Sequence, residues 1–136
     1  MLSDINIWAV LVCAVANMVI GFLWYGPVFG KPWMKLMGIT EESIQEGKKG
    51  MGARYVALAV ASLIMAFILA LLIQMTLVLD VMGALKLAFH VWLGFIATVM
   101  LGSVLWEQRP VKLYILNIAY YLVTLSIQAL ILFHWV

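Results

Sequence analysis

Residues 53–79 read ARYVALAVASLIMAFILALLIQMTLVL, with one charge, Arg54, near one end and no Pro inside. An α-helix needs roughly 20 consecutive apolar residues to cross a hydrocarbon core about 30 Å thick. This stretch exceeds that length. Strands are excluded on physical grounds, because open sheet edges cannot face lipid. Three further runs have the same character: Ile5–Gly26, Met82–Trp106 and Leu113–Val136. None of them holds an internal Pro. Pro27 follows the first run and is expected to end it, and Pro110 falls in the loop after the third. The sequence therefore predicts an all-α membrane protein, one domain of four transmembrane helices in a bundle.

Composition agrees. The chain is 67% hydrophobic and 10% charged, whereas soluble domains carry about 45–50% apolar and about 25% charged residues. The excess apolar surface has to face something other than water. A formal charge of +2 gives no reason to expect nucleic acid. Cys13 is the only cysteine, so no intrachain disulfide forms, and a free Cys in an apolar run packs as a small hydrophobe. The N-terminal stretch carries Asp4 rather than basic residues, and its apolar run is long, so it is expected to be a retained span rather than a cleaved signal.

Basic residues set the expected orientation. Lys31, Lys35, Lys48, Lys49 and Arg54 lie in or beside the 27–52 loop, and Arg109 and Lys112 lie in the third loop. Only Lys86 lies on the other face. The positive-inside rule puts both of those loops in the cytoplasm and both termini outside, with the protein in a plasma membrane. The short connections at Leu79–Gly83 and Glu107–Lys112 predict that spans two and three, and spans three and four, pack as hairpins. Within the 27–52 loop, Val28–Gly38 mixes Lys31 and Lys35 with Phe29, Trp33, Met34 and Met37. That mixture suits a short helix lying in the interface. Thr40 is placed to cap a second short helix through Glu46, ended by Gly47.

Polar groups inside spans are the default suspects for function, because lipid makes them costly. Asn17 lies near the middle of span one. Asn117, Tyr121, Thr124 and Gln128 share one face of span four, at i, i+4, i+7 and i+11. Leu122, Leu125 and Leu132 would mark its lipid side. Span three carries His90, Gly94, Thr98 and Gly102 at every fourth position, and span two carries Ser62, Ala66, Ala70 and Gln74. Small residues at that interval let helix backbones approach closely. The expectation is that span four's polar stripe packs on spans two and three, with Gln74, His90 and Gln128 in one outer cluster. Two readings of that cluster stand: interhelical hydrogen bonding, or a ligand or ion pathway. His90 and His134 have no Cys or carboxylate at useful spacing, so neither a metal nor a cofactor is expected. No Asp or Glu lies inside a span, and Ser62, Ser103 and Ser126 have no evident base beside them.

The stretch from Asn17 to Met34, NMVIGFLWYGPVFGKPWM, resembles the signature of a bacterial membrane family known as domain of unknown function 1761. Glu107-x-Arg109-Pro110 and the last span, with Tyr120 and Trp135, are also similar. The resemblance implies four spans and carries no established activity. It points to a patch of Asn17, Gly21, Trp24, Tyr25, Phe29, Lys31 and Trp33, with Glu107 and Arg109 on the same side of the membrane. The patch reads either as an anchor at headgroup level or as a pocket for a lipid headgroup or small ligand. Membrane lipids and further copies of the chain are the expected partners. The leading expectation is a non-enzymatic, oligomeric channel-like or small-ligand-binding protein. The alternatives are a lipid-interacting accessory protein and, third, a membrane-embedded enzyme.

Overall fold

A computed structural model describes residues 4–40, 42–43, 46 and 50–135. Four of its helices are long and apolar enough to cross a membrane: α1 (Ile7–Val28), α3 (Met51–Met75), α4 (Val81–Leu105) and α5 (Val111–His134). A shorter helix, α2 (Gly30–Met37), follows α1. No strand occurs among the described residues.

Local chemistry fixes the ends. Asn6 caps α1, its side chain accepting from Trp8 N at 3.0 Å. Asn6 Nδ2 also donates to the Trp135 carbonyl at 3.1 Å, which ties the start of α1 to the end of α5. Asp80 caps α4 by accepting from Gly83 N at 2.6 Å. Gly38, at φ +70, closes α2 in the left-handed conformation that glycine adopts without penalty. Thr40 Oγ1 accepts from Ser43 N at 3.2 Å, as a cap would. The rest of the second short helix expected there falls largely outside the described residues.

Pro27 does not end α1. The helix widens into a π turn over Trp24–Val28 and runs one residue past the proline. Pro lacks an N–H, and its ring collides with the carbonyl four residues back; a wider turn relieves both faults. Phe29 N then bonds to the Trp24 carbonyl at 2.9 Å, and the chain breaks at Phe29 (φ −122, ψ 15) before α2. A second π turn interrupts α4 over Leu93–Ala97.

Of the two expected hairpins, spans three and four pair as expected and spans two and three do not. α3 packs mainly on α1, α4 mainly on α5, and α1, α3 and α5 meet in a three-helix centre. α3 and α4 barely touch despite their short connection. The expected small-residue ridge of α3 explains its choice. Ser62, Ala66 and Ala70 are buried and let α1 approach closely. α4 instead buries Ala84 and Ala88, two residues off the expected ridge, and Ala97, one residue off it. His90, Gly94 and Thr98 are exposed, so that ridge faces away from α5. Leu125 and Leu132, read as the lipid side of α5, are 2% and 1% exposed and sit in the core. Lipid is as apolar as a leucine side chain, so burial in protein is not opposed by any change of solvent character.

Candidate functional site

The π turn aims the end of α1 at α5. Tyr25 donates its hydroxyl to Asn117 Oδ1 at 2.8 Å, and Trp24 donates Nε1 to the Leu116 carbonyl at 3.2 Å. Trp24 packs on Phe29, with ring centroids 4.7 Å apart, and Trp33 of α2 meets Tyr25 edge-on at 5.3 Å. Aromatic pairs at such distances and tilts add stability beyond the area they bury. α2 is thereby held over one end of the bundle.

Deeper in the bundle, Asn17 joins all three central helices. Its side-chain Nδ2 donates to Ser62 Oγ of α3, and its Oδ1 accepts the Tyr120 hydroxyl of α5 at 2.8 Å. The same hydroxyl lies 3.0 Å from the Asn17 backbone oxygen. Asn17 is 3% exposed and Ser62 1% exposed. A polar group buried without a partner costs several kcal/mol, of order 2–7, so this triad is the least costly way to bury all three. Gly21, one turn on, allows the approach: a Cβ there would lie 3.0 Å from the Tyr120 hydroxyl.

Between the triad and the aromatic end lies a cleft of about 480 Å³. Asn17 and Ser62 form its floor. Met18, Phe22, Leu58 and Met65 form apolar walls on α1 and α3, and Tyr25, Trp33, Tyr55 and Tyr121 surround its upper part. Phe22 and Leu58 are exposed, so the cleft opens sideways between α1 and α3. Along α3 the lining runs from Tyr55 to Met65, ten residues or about 15 Å at 1.5 Å per residue. Among the described residues, no charged side chain lines it.

The family described as protein of unknown function (DUF1761) matches residues 8–133. The chain belongs to that family. No curated protein and no solved structure matches it.

Several residues expected in the site of this DUF1761 protein do line the cleft: Asn17, Gly21, Tyr25, Trp33 and, from the polar stripe, Tyr121. Trp24 and Phe29 stand behind it as packing. Lys31 is exposed and does not line it, and Glu107 and Arg109 lie in the exposed turn before α5. Glu107 borders a separate hollow beside Ser103 and Trp106.

The expected outer cluster is not formed. Gln128 faces α1, where its Nε2 donates to the Cys13 carbonyl at 3.4 Å. Cys13 Sγ in turn lies 3.7 Å from the Gln128 carbonyl, and both residues are fully buried. His90 is exposed and donates Nδ1 to its own helix, at the Lys86 carbonyl, 2.7 Å away. Gln74 is half-buried beside Leu77 and Phe133. The polar stripe of α5 therefore serves α1, and among the described residues its hydrogen bonds reach α3 only through Asn17. Thr124 is buried on the same face.

Tyr120 and Ser62 were not among the expected site residues. Tyr120 lies three residues after Asn117 and four before Thr124, a helical spacing that places it on the same stripe. Trp92 was missed too: its Nε1 donates to the Ile118 carbonyl at 2.7 Å and pins α4 to α5.

Proposed function

We propose that this chain is a non-enzymatic membrane protein that takes a small lipophilic molecule from the bilayer into the cleft between α1, α3 and α5. The cleft itself carries the reading. Its volume falls in the range of roughly 300–1,000 Å³ common to small-molecule sites, with apolar walls and a few convergent polar groups. Its side opening between Phe22 and Leu58 suits entry from lipid rather than from water. The methionines Met18 and Met65 are unbranched walls that can adjust to an occupant. Beyond the floor the seam is filled by Cys13, Ala66, Leu69 and Gln128, all buried. That blind end favours binding over conduction through a single chain. Among the described residues the lining holds no Asp, Glu, His or Lys, which favours binding over acid–base chemistry.

The reading keeps the orientation drawn from the basic residues, with the cleft in the cytoplasmic half of the bilayer and both termini outside. Lys31 and Lys35 are exposed one turn apart on α2, which supports a resting place for that helix among lipid phosphates. The chain is further proposed to assemble with copies of itself through the exposed Gly94 and Thr98 face of α4.

Ala61 gives a clean test, because it lines the cleft yet is exposed and takes no part in the hydrogen-bonded floor. Wild type and Ala61→Trp are to be isolated in nanodiscs with their native lipids, and bound small molecules identified by native mass spectrometry. Wild type is expected to carry a lipophilic molecule that the Trp variant lacks. An identical complement in both would overturn the proposal.

A further inference from the structure

The hydrogen-bond inventory of the floor narrows what the cleft can hold; this step rests on the ligand-binding reading above. The Asn17 amide brings two hydrogens, and the Ser62 and Tyr120 hydroxyls bring one each. Four polar hydrogens are thus present, but only three contacts join these groups: Asn17 Nδ2 to Ser62 Oγ, and the Tyr120 hydroxyl to Asn17 Oδ1 and to the Asn17 carbonyl. Turning the amide over exchanges its oxygen and nitrogen, yet it still leaves one N–H unspent. Asn17 and Ser62 are both more than nine-tenths buried, and both line the cleft. The Tyr121 hydroxyl, also on the lining, makes no hydrogen bond to any described residue.

As these groups are arranged, at least one of their hydrogens is left without an acceptor among them. A buried donor without an acceptor is costly, so an occupant that supplies an acceptor oxygen is favoured over one that does not. Among the described residues the lining holds no charged group that would compensate an ion, and desolvating an unpaired charge at this depth is unfavourable. Six of the lining side chains are rings: Phe22, Tyr25, Trp33, Tyr55, Tyr120 and Tyr121. A lining so rich in rings suits a ring-bearing, flat occupant.

We propose that the cleft binds a neutral, planar carbonyl compound of the quinone type, its oxygen accepting from the floor at Asn17 and Ser62 and its ring lying among the aromatic walls. Duroquinone and durene are matched probes. They share a tetramethylated six-membered ring, and only the quinone carries oxygens; full substitution also prevents addition of the Cys13 thiol. The full chain is to be labelled with 5-fluorotryptophan in nanodiscs, with the Trp33 resonance assigned by its loss in Trp33→Phe. Titration with duroquinone is expected to move that resonance saturably. Durene is expected to bind about fivefold more weakly, the worth of one net hydrogen bond. Ser62→Ala should weaken duroquinone several-fold and leave durene unchanged. Tyr121→Phe, which removes a hydroxyl bonded to no described residue, is the second such variant and carries the same expectation. Equal affinity for the two probes would overturn the carbonyl assignment while leaving a site for lipophilic rings. A Trp33 resonance unmoved by either probe would overturn it as well, and the Ala61→Trp comparison would then decide separately whether the cleft holds any ligand.

Discussion

The hydroxyl of Tyr120 lies 2.8 Å from Asn17 Oδ1 and 3.0 Å from the Asn17 carbonyl, so one side chain of α5 grips both the side chain and the backbone of α1 at mid-helix. Through Asn17 the grip extends to Ser62 on α3. The three helices are locked in register at the depth where the cleft ends.

The lock is measurable as coupling. Tyr120→Phe and Asn17→Leu should each lower stability in detergent, and the double variant should lose less than the sum. Polar contacts between membrane helices couple by about 0.6 kcal/mol on average and up to about 1.7 kcal/mol. A coupling near the upper value is expected here, because two contacts share one hydroxyl. A double-mutant cycle on unfolding free energies checks it, and strict additivity would contradict it.

Gly21 and Gly26 should separate sharply. A Cβ at Gly21 meets the Tyr120 hydroxyl at 3.0 Å, and one at Gly26 meets nothing within 4 Å. Gly21→Ala is expected to displace Tyr120 and cost about 1–3 kcal/mol, as overpacking does. Gly26→Ala should change stability by less than about 0.5 kcal/mol, in line with an unobstructed surface position. Thermal melts of the two variants side by side make the comparison.

Gln128 should be dispensable. Its only described side-chain bond is the 3.4 Å contact to the Cys13 carbonyl, and its Oε1 has no partner among the described residues. Gln128→Leu removes an unsatisfied oxygen along with a weak bond, so stability should shift by no more than about 1 kcal/mol in either direction. A loss of several kcal/mol would show that the buried amide is a keystone of the bundle.

Orientation is tested with single cysteines at Ser43 and Met82 in a Cys13→Ala background. Both positions are exposed. An impermeant thiol reagent applied to intact cells should label the cysteine at 82 and spare the one at 43. The reverse pattern would invert the orientation and move the cleft to the outer half of the bilayer.

The four spans were legible because length and apolar content suffice to mark them. The α3 ridge was legible too, since Ser62, Ala66 and Ala70 are small at every fourth position. Which helix met which was legible only for the hairpin of α4 and α5. In water, the polar face of a helix shows where the core is not; in lipid that signal vanishes, and Leu125 and Leu132 look the same whether they face protein or acyl chains. The α4 ridge shows the other side of this ambiguity. His90, Gly94 and Thr98 satisfied the same spacing rule as α3, yet Ala84 and Ala88 form the contact. His90 tolerates exposure because Lys86 of its own helix accepts its N–H. Of the signature residues, Asn17, Gly21 and Tyr25 line the cleft. Ser62 was legible as a small ridge residue and Tyr120 by its spacing from Asn117 and Thr124, but that the two meet through Asn17 was not, because neither helix's own pattern names its partner. Pro27 misled for a related reason: only the structure shows that a wide turn absorbs it.

The most direct measurement is a structure determined from crystals grown in a lipid mesophase. The account predicts non-protein density in the cleft, in contact with Ser62 Oγ and extending past Tyr121 toward Tyr55. Met18 and Met65 packed across Ser62, with the cleft closed and no density inside it, would contradict the claim that this protein is built to hold a lipophilic ligand.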